Sequence, residues 1–390
     1  MATADPKAVV RERIEQAKED LLALSRRIHA HPEVGFEEER ACAWLCELLG
    51  DAGFQVEAGI AELPTAFAAR TGPGPLRLVI CAEYDALPEI GHACGHNLIA
   101  ASSAGAAIGL AGVAGDLGIE VVVLGTPAEE GGGGKILLLE RGAFAGAHAA
   151  MMAHPAPFDL TAMPVIAVDQ LTIRYTGRTA HASAWPELGV NAADALVVAQ
   201  VAIGLLRQHL RPTDRVHGIV LKGGDAPNVV PADTSGRWLV RAATLDELDE
   251  VSRKVRRCFE AGALATGATV EITPDHAPYA ELHSDPELRA AYRRNAEALG
   301  RRFPDDESPY QRAAGSTDMG NVSLALPSIH PTIGIDSLPA VNHQPEFAAA
   351  CVTPTADQAL MDGAVALAWT AVDAATDEPL RARLLSRAAP

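Results

Sequence analysis

Side chains able to do chemistry gather between Glu83 and Glu130, most densely in Gly91-His-Ala-Cys-Gly-His-Asn97. This run follows directly on Glu83-Tyr-Asp-Ala-Leu-Pro88. Downstream, the adjacent carboxylates Glu129-Glu130 stand between Thr126-Pro-Ala and four glycines. His154-Pro155 and the segment Val341-Asn-His-Gln-Pro-Glu-Phe347 add two more imidazoles. Cys, His and Glu bind zinc-like divalent ions once thiol and imidazole have lost their protons. Cys94, His96, the Glu129-Glu130 pair, His154 and His343 supply roughly what two neighbouring ions need, with positions left for water. Cys94-Gly-His96 taken alone reads equally well as a helix start with a buried thiol. The three distant groups, Glu129-Glu130, His154 and His343, together weigh against that reading.

Two rival chemistries fail on the residues. Gly131 to Gly134 and Lys135 suggest a phosphate loop, but Ile136 stands where Ser or Thr is required and the earlier glycine is missing. There is no Gly-x-Ser-x-Gly elbow for a serine nucleophile.

The elements that must carry these groups follow from periodicity. Leu78 to Cys81 is a short apolar run of the kind that forms a buried parallel strand, and Ile119 to Gly125 reads as a second buried strand. Each is followed by carboxylates, and open α/β sheets build their sites outside the carboxyl ends of strands. Asn97 to Ala114, rich in Ala, Ser and Gly, is expected to be a closely packed helix. Residues 7 to 30 read as one amphipathic helix ending near His29-Ala-His31-Pro32, and Phe36 to Gly50 as a second. His29 and His31 suit dipole partners at a helix end better than ligands.

From Leu171 the pattern changes. Strands are expected at Leu171 to Tyr175, Val216 to Leu221, Arg237 to Ala243 and Ala268 to Ile272, with helices at Asn191 to Leu210 and Leu245 to Ala265. That β-α-β-β-α-β order is a ferredoxin-like unit. It predicts an inserted domain over 169–282 and a discontinuous first domain over 1–168 and 283–390. Asp318 to Ile335 and a helix at Thr355 to Ala374 would complete the first domain, and the charged tail after Thr376 is expected to fray.

A length of 390 residues argues for two domains. Lys+Arg 32 against Asp+Glu 50 gives a net charge of −18, which argues against nucleic acid or an anionic membrane as partner. No apolar core of a signal peptide and no long uncharged apolar stretch is present, so a cytoplasmic location is expected. The six cysteines show no disulfide rhythm and are expected to be reduced; Cys42 and Cys46, four apart, read as core thiols.

The chain resembles the dimetal peptidases of the aminoacylase-1 and carboxypeptidase-G type. More narrowly it is similar to their amidohydrolase subgroup, with indole-acetyl-amino-acid, hippurate and aminobenzoyl-glutamate hydrolases and related dipeptidases. The motifs above carry the resemblance, together with Gly177-Arg-Thr-Ala-His-Ala-Ser183, Gly189-Val-Asn-Ala-Ala-Asp194, Asn228-Val-Val-Pro231 and Gly315-Ser-Thr-Asp-Met-Gly-Asn-Val-Ser323. It implies a mixed-sheet α/β catalytic domain with an inserted lid and dimerisation domain, and a homodimer. Cys94, His96, Glu130, His154 and His343 would be the metal ligands, with Cys94 bridging two ions. Glu129 would be the general base towards metal-held water, Asp85 would orient a ligand, and His181 would stabilise the oxyanion. Asn228 is expected to hold a substrate oxygen. Arg241 reads equally as an exposed charge or a carboxylate clamp, and Thr317, where the subgroup often has Glu, is expected to alter substrate choice.

Glu83 stands where the wider family has a metal-binding histidine and is not expected to be a ligand. A bridging thiolate tilts the metal towards zinc, with manganese or cobalt as alternatives. His92 and His330 are read as near the site with a structural role, and His148, His209, His217, His276 and His283 as solvated or capping. The expected activity is hydrolysis of N-acyl amino acids or aminobenzoyl-glutamate-like conjugates. A dipeptidase is the nearest rival, and a non-catalytic regulator of the same fold the remoter one.

Overall fold

A computed structural model describes residues 5–308, 310 and 314–389. The chain forms two compact units, Met1–Pro164 with Leu282–Pro390, and Val165–Glu281.

The first unit opens with α1 (Pro6–Gln16), α2 (Lys18–His29), α3 (Glu39–Asp51), β1 (Gln55–Ala58), β2 (Phe67–Thr71) and β3 (Leu76–Ala82). It continues through α4 (His96–Ala111), α5 (Ala114–Leu117), β4 (Ile119–Gly125), α6 (Gly134–Glu140), β5 (Ala149–Met151) and β6 (His154–Ala156). The second unit holds β7 (Ala167–Thr176), α7 (Ala192–Leu206), β8 (Arg215–Lys222), β9 (Asp233–Ala242), α8 (Leu245–Thr266) and β10 (Thr269–Pro274). The chain then returns with α9 (Pro286–Ala298), α10 (Met319–Ala325), β11 (Ser328–Ile329), β12 (Thr332–Gly334), α11 (Pro345–Ala350), α12 (Pro354–Thr376) and α13 (Glu378–Leu385).

The main sheet of the first unit runs β1-β2-β4-β3-β5-β11. β3, β4, β5 and β11 are parallel, and β1 and β2 are antiparallel additions at one edge. After Arg77 and Glu120, which pair at 2.6 Å near their starts, β3 and β4 are continuously apolar because both their faces are covered. α4 is buried along nearly its whole length and has no polar face, which is why Ala, Gly and Ser dominate it. A Cβ on Gly105 or Gly109 would lie 2.8 Å from Leu21 or Ile14. Asn97 ties this helix to α2 by donating to Ser25 Oγ at 2.9 Å.

Several expectations are corrected. Residues 7 to 30 are two helices that part at Ala17, because α1 packs on α4 and α12 whereas α2 packs on α4 and α3. The second helix starts at Glu39 rather than Phe36, which lies at φ +65° in a turn. The tail is not frayed. Asp377 caps α13, Leu380 and Leu384 are buried, and Arg381 donates to the carbonyls of Leu117 and Gly118.

The second unit has the element order β-α-β-β-α-β and an antiparallel sheet ordered β10-β7-β9-β8. α7 and α8 pack together over a core of Leu171, Ile173, Tyr175, Trp238, Val255 and Phe259. Asn191 and Thr244 cap these two helices through their side chains.

Candidate metal centre

Each functional side chain of the first unit leaves a strand end or a tight turn. Glu83 and Asp85 follow β3, Glu129 and Glu130 follow β4, His154 opens β6, and His96 opens α4. Gly95, at φ +77°, separates Cys94 from His96; a Cβ there would stand 2.4 Å from Pro155 Cγ, so only glycine lets β6 approach. His343 lies after β12 at φ +69°, with its N–H donating to Ala93 O at 2.8 Å.

These residues converge into three groups whose ligand atoms lie within 4.8 Å of one another: Cys94–His96–His154, Cys94–Glu130–His343 and Glu83–His96–Glu129. Cys94 Sγ belongs to two of them and lies 3.5 Å from His154 Nε2. All five residues expected as ligands are therefore brought together. Asp85 accepts from His96 Nδ1 at 2.9 Å, and its other oxygen accepts from the Glu130 N–H at 2.9 Å. His154 Nδ1 donates to Pro155 O at 2.8 Å. Both imidazoles thus turn Nε2 towards the cluster, the orientation that a carboxylate or carbonyl behind a metal-binding histidine enforces.

The donor set fits divalent ions. His96 Nε2 has no hydrogen-bond partner, yet it faces Glu83 at 3.5 Å and Glu129 and Glu130 at 3.8 Å each. A ring nitrogen among three carboxylates calls for positive charge there, from a proton on the imidazole or from a cation in its place. The titration behaviour agrees. Burial, and then Glu130, push the Cys94 thiol well above its usual range, so its ionisation needs a cation nearby. Burial opposes protonation of His96, but Asp85 and Glu83 override it and hold the imidazole well above its ordinary value. Burial, with Glu83 and Glu130, also holds the Glu129 carboxyl well above the usual carboxylate range.

Glu129 and Glu130 occupy a turn, not the extended segment that adjacent, divergent carboxylates suggest. Ala128, at φ +55°, reverses the chain there, and its N–H donates to the buried Glu38 Oε1 at 2.8 Å. Glu129 faces His96 and Glu83, while Glu130 Oε2 reaches His343 Nε2 at 3.5 Å.

Three further participants are not marked out by residue type. Glu38 clamps the Ala128 turn. Asn342 faces Cys94 Sγ at 3.8 Å and donates to Pro155 O at 3.2 Å. Lys135, fully buried, lies 2.5 Å from Glu83 Oε1 and 2.7 Å from Asp318 Oδ1. A lone lysine leading the apolar run Ile136 to Leu139 is the one signal the sequence offers for it.

The remaining expected residues belong to none of these three groups. Thr317 is buried and its hydroxyl accepts from the Met319 N–H at 3.2 Å. His330 is buried with neither ring nitrogen hydrogen-bonded, its ring centre 5.5 Å from that of His154; His92 is buried against His29. In the second unit, His181 and Asn228 are exposed and neighbouring: the Ala182 N–H donates to Asn228 O at 3.0 Å, and His181 bridges Val229. The backbone N–H groups of Ser183 and Ala184 donate to His181 Nδ1 at 3.3 and 3.2 Å. A backbone N–H can only donate, so Nδ1 is the acceptor and Nε2 carries the outward-facing proton. Arg241 is half-buried on β9, where burial lowers its pKa.

Fold and cluster together define a class: an α/β protein with thiol, imidazole and carboxylate groups gathered where they could hold divalent ions, and a further carboxylate beside them. Comparison with known proteins agrees with that class. The family model described as Peptidase family M20/M25/M40 matches residues 79–367. A mouse (Mus musculus) protein named Xaa-Arg dipeptidase is 41% identical over 93% of this chain and 87% of its own length. A p-aminobenzoyl-glutamate hydrolase polypeptide of Escherichia coli (strain K12) is 33% identical over 68% of this chain and 59% of its own. Among solved structures, a Bacillus subtilis protein described as a dinuclear metal binding peptidase superposes with a TM-score of 0.62 at 22% identity, covering 90% of this chain and 98% of that one. The chain belongs to peptidase family M20/M25/M40. It is a metal-dependent hydrolase of amide or peptide bonds. Among the described residues no helix is long and apolar enough to cross a membrane.

Proposed function

We propose that this hydrolase is a dipeptidase that releases a basic amino acid from the carboxyl side of a dipeptide, at a centre of two divalent ions. The 41% identity to the mouse Xaa-Arg dipeptidase across 93% of the chain supports the substrate class. One observation carries the catalytic reading: Glu129 is buried beside His96 yet belongs to neither of the groups that share Cys94. It is thus a carboxylate at the centre that those two groups leave unused.

Cys94, His96 and His154 would hold one ion, and Cys94, Glu130 and His343 the other, with Asp85 fixing the face that His96 presents. The ions would supply Lewis acidity and a lowered pKa for water, and the thiolate favours zinc over manganese or cobalt. Glu129 takes the proton of the attacking water and returns it to the departing amine. His181 donates its Nε2–H to the developing oxyanion. Asn228 and Arg241 hold the substrate's carbonyl and carboxylate oxygens, and Thr317 shapes the wall beside Asp318.

The second unit, with its ferredoxin-like order, is the lid in this reading. It also supports a homodimer. Val197, Val201 and Leu205 form an exposed i, i+4, i+8 stripe on α7, and the edge strand β8 exposes Ile219 and Leu221. Six free cysteines, Cys94 among them, suit a reducing, cytoplasmic setting.

The test is a panel of Xaa-Arg, Xaa-Lys and Xaa-Glu dipeptides, N-acetyl amino acids and aminobenzoyl-glutamate, with the released amine quantified before and after chelation. Fastest release of arginine or lysine is expected. Turnover confined to the acyl conjugates would overturn the dipeptidase assignment. It would instead select the second reading, a hydrolase of N-acyl or aminobenzoyl-glutamate conjugates, which the 33% identity to the Escherichia coli hydrolase favours.

A further inference from the structure

The three donor groups cannot all be filled. His96 Nδ1 is committed to Asp85, so its Nε2 must choose between Cys94–His154 and Glu83–Glu129. On charge and hardness, a pocket with two carboxylates should compete well for a dication against one holding a single thiolate. That outcome would take Glu129 as a ligand and strip His96 from the thiolate side.

We infer that Lys135 decides this competition: its ammonium, locked between Glu83 and Asp318, keeps divalent ions out of the Glu83–His96–Glu129 group and confines them to the two groups that share Cys94. The inference rests on the dimetal reading above.

The geometry carries it. The ammonium lies 2.5 Å from Glu83 Oε1 and 2.7 Å from Asp318 Oδ1. Asp318 Oδ2 also accepts from the backbone N–H of Lys135 at 2.8 Å, so the lysine is held at both ends. All three residues are fully buried, which removes solvent screening and leaves the lysine no path to water. The backbone is fixed as well, since a Cβ on Gly134 would meet Pro127 O at 1.8 Å. An ion ligated by the other oxygen of Glu83 would sit one carboxylate away from this fixed positive charge. Neither Cys94-centred group contains a partner of Lys135. Lys135 is therefore a positioning residue: it acts through Glu83 and keeps Glu129 from being taken as a metal ligand.

The experiment titrates cobalt(II) into the metal-free protein, reading equivalents bound by calorimetry and the thiolate-to-cobalt charge-transfer band by absorbance. The native chain should bind two equivalents with the band present. Absence of bound metal or of the band would overturn the dimetal reading itself, and this inference with it. In Lys135→Met the early cobalt should enter without the band, and the affinity of the thiolate-linked sites should fall about 10- to 100-fold, the range for lost supporting contacts. Glu83→Gln/Lys135→Met, which removes the competing donor, should restore the native titration. Glu83→Gln alone should keep two equivalents and the full band, and it decides the matter if Lys135→Met does not fold. A native titration from Lys135→Met, or loss of one equivalent in Glu83→Gln, overturns the inference while leaving the dimetal reading standing.

Discussion

The buried cluster of the first unit and the exposed pair His181–Asn228 of the second are held by opposite means. Around Cys94 the side chains orient one another: Asp85 holds His96, Cys94 lies 3.5 Å from His154, and these four are buried while His343 is exposed. At His181 the backbone does the orienting, through the N–H groups of Ser183 and Ala184 and the pairing with Val229. A buried arrangement of like charges is stable only with cations in place. A backbone-held imidazole in water costs little to maintain. The first region should therefore fail by losing metal, and the second by losing rate alone.

Chelation should be the harshest break. It is expected to abolish turnover and to lower the melting temperature, both recovered on adding zinc, since ligand binding stabilises the folded state. Recovery of rate without any change in melting temperature would contradict the idea that the cluster needs its ions. Glu129→Gln comes next. Loss of a proton-transfer group should reduce kcat by about 10²- to 10⁴-fold, while cobalt binding stays intact. His181→Ala should cost about 10²- to 10³-fold in kcat, the range for a lost oxyanion donor, with native metal content and melting temperature. A drop in bound metal would erase the distinction between the two regions.

A smaller effect sharpens the electrostatic side. Burial, and then Asp85, raise Glu38 from 4.5 to about 7. The folded form therefore holds this proton more tightly than the unfolded one. Its contribution to stability is complete below pH 4.5 and is lost as pH rises through 7. The stability of Glu38→Gln relative to the native chain should rise across that window, by up to about 3 kcal/mol. A difference flat with pH in chemical denaturation would contradict it. Least of all, Thr353→Ala removes the hydroxyl that caps α12 and should cost about 1 kcal/mol without touching kcat.

Much of this architecture is legible in the residues themselves. β3 and β4 announce themselves as apolar runs ending in carboxylates, and the five donor residues converge as their types suggest. What escapes depends on tertiary partners. Hydrophobic periodicity runs unbroken through Ala17, and only the different neighbours of α1 and α2 part them. The tail reads as charged because Arg381 and Arg383 do not reveal that Leu117, Gly118 and Asp285 await them. Lys135 reads in sequence as the end of a failed phosphate loop and as a lone lysine before an apolar run, and neither names its partners. A buried charge pair between residues 183 positions apart leaves no local pattern. The turn at Ala128 is equally hidden, since alanine carries no mark of a left-handed backbone.

α4 offers a practical handle. Its small residues press against α1, α2 and α12, while its first residue, His96, belongs to the cluster. Exchanging Ala104 or Ala107 for valine, far along that helix, should yield heat-sensitive alleles: enzymes of ordinary specificity when cool that lose function together with fold a few degrees higher. Such variants would let a geneticist switch the protein off by warming a culture, with its active centre left chemically untouched.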